Sequence, residues 1–265
     1  MGVYYETIPD SLKPWILDQK MLFVGTAPLS PSGHINISPK GGKQFGIISP
    51  TAFWYLDLTG SGVETHAHLH EPNNGRICVM FIAFNGGPRI VRIWGMGRAI
   101  ENGTPEWDVF VRENKVNTIP GSRSIIVVDV HQCATSCGFS VPTYEWTGWR
   151  TTLDDHFAKK EKKYLEGKEE ESMDRYWAFK SQLSIDGLPG MKRGYDFAQK
   201  NNVAPLKKWV GRWAPEASGP RHVQHISPVH LILVAILSLI IGVTLAVTLT
   251  PPDFVRKVQH KEFFI

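Results

Sequence analysis

The stretch "LDLTGSGVETHAHLHEP", Leu56 to Pro72, admits two readings that lead to different proteins. Its alternating histidines, His66, His68 and His70, would share one face of an extended strand and suit a metal ion. Its turn, Thr59-Gly60-Ser61-Gly62, would instead open a helix that holds a phosphate. Gly60 and Gly62 let main chain approach a ligand closely. The first turn of a following helix presents unpaired N–H groups and a positive dipole end. Ser61 and Thr65 add hydroxyl donors. Ser61-Gly62-Val63-Glu64 also matches the Ser-x-x-Glu capping box, which favours the helix. Inside that helix His66 and His70 stay together and His68 turns away. Glu64 is an awkward neighbour for a phosphate unless it folds back to cap.

Outward from this stretch, the 265 residues suffice for one sizeable domain with an appendage, or for two small ones. Hydrophobic residues at 42% and charged ones at 20% are ordinary globular composition, which sets disorder aside. The formal charge of +4 is spread along the chain. That excess suits small anionic ligands or an anionic membrane surface and argues against nucleic acid. Cys78, Cys133 and Cys137 form no disulfide framework and point to a reducing compartment. Cys133 and Cys137 lack a second pair, so they are a weak zinc signature.

Before and after the opening stretch come short apolar runs: "MLFVGTAPL", "HINISP", "FGIISP", "AFWYLDLT", "RICVMFIAF", "RIVRIWGMGRAI" and "SIIVVDVHQC". Turns rich in Pro and Gly separate them. This spacing predicts an antiparallel sheet closing into a small barrel, so the chain reads as mainly β with flanking helices. Residues 7–20 read as an entry helix capped by Asp10 or Ser11, and "PEWDVFVRENKV" as a helix inserted before the last strand. Beyond Pro142 the chain turns charged and helical, with Lys and Glu interleaved at helical spacing.

The C-terminal part differs. "VHLILVAILSLIIGVTLAVTLT", Val229 to Thr250, carries no Asp, Glu, Lys or Arg. Its roughly 22 residues cover about 33 Å as a helix, enough for a hydrocarbon core of about 30 Å. Pro228 and Pro251-Pro252 punctuate its ends. It reads as a C-terminal tail anchor leaving the main domain in the cytosol. Lys207, Lys208, Arg212 and Arg221 agree with that orientation; Arg256, Lys257 and Lys261 weaken the agreement. The expected organisation is a barrel domain over 1–145, a helical extension over 146–210, a linker over 211–227, a transmembrane helix over 228–250 and a short tail over 251–265.

The succession "MLFVGTAPLSPSGHINISPKGG", "AFWYLDLTGSGVETHAHL", "NNGRICVMFIAF" and "RIVRIWGMGRAI", from roughly Ser11 to Pro142, resembles the pyridoxamine 5′-phosphate oxidase-like family of FMN-binding split barrels. The resemblance implies a six-stranded split barrel that dimerises, with FMN in the groove between two copies. It resolves the opening question toward phosphate: the turn from Thr59 to Thr65 would hold it, the histidines would be bystanders, and no metal is expected. By the same resemblance Ser38 and Lys40 would be ring or phosphate contacts. Lys40 is the candidate cation for the flavin N1–C2=O edge. Glu64 and Thr65 stand where the biosynthetic oxidase has an Arg-Lys pair, so Lys40, Lys43 or Arg92 would have to supply the charge. The implied cofactor-binding set is Ser38, Lys40, Thr59, Gly60, Ser61, Gly62, Glu64, Thr65 and Arg92.

These readings give a membrane-tethered, FMN-dependent oxidoreductase acting on an unassigned small molecule, with no catalytic acid or base singled out. His34, Tyr55 and Cys137 are possible substrate-side residues. The alternative is a non-catalytic flavin- or haem-binding protein on the same barrel. A scaffold that has lost its cofactor, with Glu64 as the sign, is a third reading.

Overall fold

The computed structural model of the chain describes residues 2–215 and 228–249. After the short strand β1 (Val3–Tyr5), a single 3-10 turn at Asp10–Leu12 leads into α1 (Lys13–Asp18). This entry helix is shorter than the sequence suggests, and neither Asp10 nor Ser11 caps it by side chain. Strands β2 (Met21–Thr26), β3 (Asn36–Gly41), β4 (Phe45–Ser49) and β5 (Ala52–Leu58) follow, then helix α2 (Glu64–His70). Strands β6 (Arg76–Ile82) and β7 (Ile90–Glu101), helix α3 (Pro105–Glu113) and the long strand β8 (Ser122–Ser136) complete the barrel. Thr104 caps α3, accepting from the Trp107 amide at 3.2 Å, with Pro105 in the first turn.

Every strand pairing is antiparallel, in the order β3-β2-β6-β7-β8-β5-β4, with β1 added alongside β8. The sheet has eight strands, two more than the resemblance implies. Its two edges, β3 and β4, are consecutive in sequence yet do not pair, so the barrel is split between them.

Alternation fills the interior. Leu22 and Val24 of β2, Val79 and Phe81 of β6, Val91 and Ile93 of β7, Phe53 and Tyr55 of β5 and Ile126 and Val128 of β8 form the main core. A second cluster, around Trp54, Trp107, Ile125 and Val127, seats α3 on the other side of β5 and β8. Near Gly95 the ladder between β7 and β8 is bulged. A Cβ there would stand 2.3 Å from the Asp129 carbonyl, so only glycine fits.

The extension carries α4 (Thr152–Leu165), α5 (Met173–Ser181) and α6 (Lys192–Asn201) and belongs to the same compact unit as the barrel. It docks by Trp177 and Met191 against Val63. Trp177 sits on α5, one of the charged helices expected from the sequence.

Helix α7 (Pro228–Leu249) falls in a second unit and is described by itself. Its side chains are described only in part, the longest run being 235–245. Among the described residues no helix is long and apolar enough to cross a membrane, so the expected transmembrane helix is not established here. Most of the expected linker, 216–227, and the tail, 251–265, lie outside the described residues.

Candidate functional site

The Leu56–Pro72 stretch does open a helix, but not through the expected capping box. Helix α2 begins at Glu64 with Val63 as its cap position, and no side chain of Ser61 takes part. Glu64 folds back: its carboxylate accepts from the Val63 amide at 2.9 Å. The other carboxylate oxygen accepts from the Ile185 amide at 3.2 Å and from the Lys208 ammonium at 2.8 Å. Burial pushes this carboxyl up, but Lys208 and the Glu64 and Val63 amides hold it below its ordinary value. The awkward charge is therefore paired with the extension through Lys208, while its other oxygen stays beside the turn, 3.1 Å from where a Cβ on Gly62 would stand. Ser61 and Gly62 remain exposed, and a Cβ on Gly60 would meet nothing within 4 Å.

Beneath the turn the barrel interior becomes polar. Asp57 continues the inward-facing row of Phe53 and Tyr55 and is fully buried. It accepts from the Lys40 ammonium at 2.7 Å and from Arg123 Nε at 2.6 Å. Arg123 reaches inward because it is the extra residue of a β-bulge: Asp57 pairs with Ser124 and Leu58 with Ser122. Its guanidinium also donates to the Gly62 carbonyl at 2.8 Å, tying the turn to this centre. His66 lies 2.8 Å from the Ser124 hydroxyl by Nε2 and 3.7 Å from Asp57 by Nδ1. Burial raises the Asp57 carboxyl, yet Arg123, Lys40 and His66 together hold it far below the usual carboxylate range. Burial, with Arg123, pushes His66 well below its ordinary value against the pull of Asp57. Since β3 and β4 share no ladder, the Lys40–Asp57 pair is a bond across the split of the barrel.

The expected site residues divide into three groups. Ser38 and Thr65 come together through Asn36: Ser38 donates to its Oδ1 at 3.1 Å, and its Nδ2 donates to the Thr65 hydroxyl at 3.1 Å. Thr59 is buried, donating to the Gly121 carbonyl and accepting from the Trp177 indole at 3.0 Å. The Thr59 hydroxyl is thus committed both as donor and as acceptor, whereas the Thr65 hydroxyl accepts from Asn36 and the Lys40 ammonium donates to Asp57. Arg92 stands apart. It pairs in register with Met80, Met80 with Phe23 and Phe23 with Pro39, whereas Ser38 and Lys40 pair with Val24 and Leu22 of the core. Neighbours in register share a face, so Arg92 lies on the opposite side of the sheet from Ser38 and Lys40. Its guanidinium donates to the Ser136 hydroxyl at 3.4 Å, and Lys43 is exposed between β3 and β4.

The three histidines take separate partners. His66 meets Ser124, His68 meets the Thr26 hydroxyl at 2.9 Å, and His70 meets the Gly190 carbonyl at 2.8 Å. Of the substrate-side candidates, Tyr55 is buried in the core and Cys137 is exposed. His34 is half-buried against Asp186. Sequence reasoning passed over Asp57, Arg123, Asn36 and Asp186. Asp57 did leave a signal, a carboxylate between Leu56 and Leu58 in an apolar strand; a bulge at Arg123 and a contact 152 residues away at Asp186 leave none.

No family model matches the sequence. Among solved structures, HupZ of Group A Streptococcus is 18% identical, with 49% of this chain and 99% of that chain covered at a TM-score of 0.36. An FAD-binding protein of Mycobacterium smegmatis is 9% identical over 50% of this chain and 97% of that one, at 0.34. At scores this low neither likeness bears on function. A curated relative does: a pyridoxamine 5′-phosphate oxidase family protein, ustO, of Aspergillus flavus is 36% identical over 198 residues, 72% of this chain and 78% of its own length. With that identity over most of both sequences, the chain belongs to the pyridoxamine 5′-phosphate oxidase family.

Proposed function

We propose that the chain is an FMN-dependent oxidoreductase acting on a small molecule, with the flavin phosphate at the main-chain amides of Gly60, Ser61 and Gly62. Family membership carries this reading. The open space at Gly60 and the exposure of Ser61 and Gly62 support the placement. Lys208 supports it by pairing with the Glu64 carboxylate, which offsets the charge beside the turn. A bound flavin would supply hydride or electron transfer at N5; the protein positions it and tunes its electronics. Lys40 would act on the ring only as a member of the Lys40–Asp57 pair.

The functional unit we propose is a homodimer, which would bring Arg92 of the outer face to the groove. The exposed Ile35 and Ile37, at 76% and 70%, support a partner on the β3 edge. We also propose that α7 tethers the protein to a membrane, with the barrel on the cytosolic side. The sequence from Val229 to Thr250, which carries no Asp, Glu, Lys or Arg, supports this, as do Trp209 and Trp213, each beside a cation in the stretch leading toward it. Fractionation tests the tether: a chain truncated after Ser227 is expected to leave the membrane pellet, and its retention there would remove the proposal.

One observation favours a second reading. The hydroxyls of Thr59 and Thr65 and the amine of Lys40, all expected on the phosphate or ring, already have protein partners. That suits a barrel that binds flavin weakly or has no cofactor. FMN titrated into the purified full-length chain separates the two. Saturable quenching of flavin fluorescence that Gly60→Val abolishes supports the first reading; no quenching supports the second.

A further inference from the structure

Helix α4 ends in a Schellman turn. Gly167, at φ +94°, donates by its amide to the Tyr164 carbonyl at 2.9 Å, and the Lys168 amide donates to the Lys163 carbonyl at 3.1 Å. The chain folds back here, so Lys168 and the 3-10 turn Glu169–Glu171 return alongside the helix. On α4 itself His156, Lys159, Lys160 and Lys163 stand at spacings of three, four and seven, which share one face. Phe157, buried against Gly121 and Tyr176, fixes the helix in place.

A groove of about 480 Å³ runs along this face. It is lined by those four residues, Lys162 and Lys168, against two carboxylates, Glu166 and Glu171. Five ammonium groups against two carboxylates leave a surplus of three positive charges. Glu171 accepts from Lys160 at 2.6 Å and from Lys163 at 3.2 Å, so one carboxylate orders two ammoniums. Lys160 also covers the Tyr176 ring at 5.5 Å, and its side chain is only 12% exposed. Lys162 faces Glu166 at 4.0 Å, whereas Lys159 and Lys168 have no ion pair among the described residues. Lys162 and Lys163 answer the negative end of the helix dipole. That does not account for Lys159, a turn further back, or for Lys168, brought in from beyond the helix. Gathering like charges on one face costs stability in the free protein, and a bound anion would offset that cost.

We propose that this groove binds a small ligand carrying two or more phosphate groups, contacted by Lys159, Lys163 and Lys168 and by the ammonium of Lys160 that Glu171 holds. A single phosphate monoester carries about 1.5 to 2 negative charges, short of the surplus, and a second phosphate makes up the difference. Lysine suits such a ligand, because its ammonium is a point charge with three rotatable donors. A soluble phosphorylated metabolite and a phosphorylated lipid headgroup share this chemistry. The groove has no lining residue in common with the Gly60–Gly62 turn, so the assignment is independent of the flavin reading.

The test uses the full-length chain and no flavin. Calorimetric titration with inorganic pyrophosphate at low ionic strength is expected to show saturable binding. The triple variant Lys159→Ala, Lys163→Ala, Lys168→Ala should weaken it about tenfold or more. The variant Lys20→Ala, Arg112→Ala, Lys200→Ala removes as much charge from exposed positions elsewhere and should weaken it about twofold or less. Competitive reductive methylation mapped by mass spectrometry locates the site without any variant: pyrophosphate is expected to protect Lys159, Lys163 and Lys168. A second arm compares vesicles of phosphatidylcholine with and without phosphatidylinositol bisphosphate. Protection by pyrophosphate but not by the phosphorylated lipid assigns a soluble ligand, and the reverse assigns a headgroup; both uphold the groove. If pyrophosphate and the phosphorylated lipid both leave these lysines fully reactive, or if the two triple variants lose affinity equally, the assignment is overturned.

Discussion

The two ends of the barrel interior are built from the same strands and the same alternation, but they are held by different physics. At one end Phe53, Phe81, Val91 and Ile93 pack without a polar atom among their side chains. There the stabilisation is non-directional and scales with the apolar area removed from water. At the other end the same inward rows continue as Asp57 and Ser124, joined by Arg123 of β8 and by Lys40 and His66 from two further elements. Buried charges are tolerable only as a set, so this end is directional and fragile. The fragile end lies under the Gly60–Gly62 turn, and Arg123 connects the two. A rigid charged floor would hold that turn open for an anion.

The contrast can be broken most severely at Asp57. Asp57→Ala leaves Lys40 and Arg123 buried without a carboxylate and is expected to cost about 3 to 5 kcal/mol. It also removes the bond across the split, so chemical denaturation should show a lower midpoint and FMN binding should fall with it. At the apolar end Phe81→Ala is expected to cost about 3 kcal/mol through its cavity, leaving FMN affinity of the folded protein nearly unchanged. Equal loss of FMN affinity in both variants would erase the distinction between the ends.

Acid sharpens the comparison. Burial, with Arg123, keeps His66 below its ordinary value, and burial lowers His68 and His70 too. The unfolded imidazoles take protons near pH 6.5 while the folded ones resist. Stability is therefore expected to fall below about pH 6.5, by up to about 1.4 kcal/mol per pH unit for each histidine. Asp57 acts in a lower window. Its depressed carboxyl contributes stability above the unfolded carboxylate value, and this is lost only as pH falls below about 4. Denaturation midpoints at pH 7, 5 and 3.5 should resolve the two steps; a flat profile from 7 to 5 would contradict the neutral buried histidines.

The smallest effect concerns Lys208. Lys208→Ala is expected to cost about 1 kcal/mol in stability. It should weaken FMN binding several-fold by leaving Glu64 charged beside the turn, and Glu64→Gln in the same background should restore it. Calorimetric titration of the two variants checks both signs.

The two ends also differ in how much the sequence discloses. Alternating runs such as "RICVMFIAF" gave away the strands and the apolar core, because a period of two survives in the residues themselves. The helix at "VETHAHL" was legible in the turn chemistry, although its cap position is Val63 rather than Ser61. The polar end was not. Arg123 faces inward only because a bulge breaks the period, and Lys40 was assigned to the flavin because its partner, 17 residues on, left no local sign. Trp177 over Thr59 and Lys208 on Glu64 are long-range closures that no spacing predicts.

The proposed function requires a phosphate-bearing flavin seated at the Gly60–Gly62 amides. Equilibrium titration of FMN and of riboflavin into the purified full-length protein tests this most directly. FMN is expected to bind stoichiometrically and riboflavin, lacking the phosphate, at least tenfold more weakly, with Gly60→Val abolishing the difference. Equal affinity for the two, or no binding of either, would contradict it.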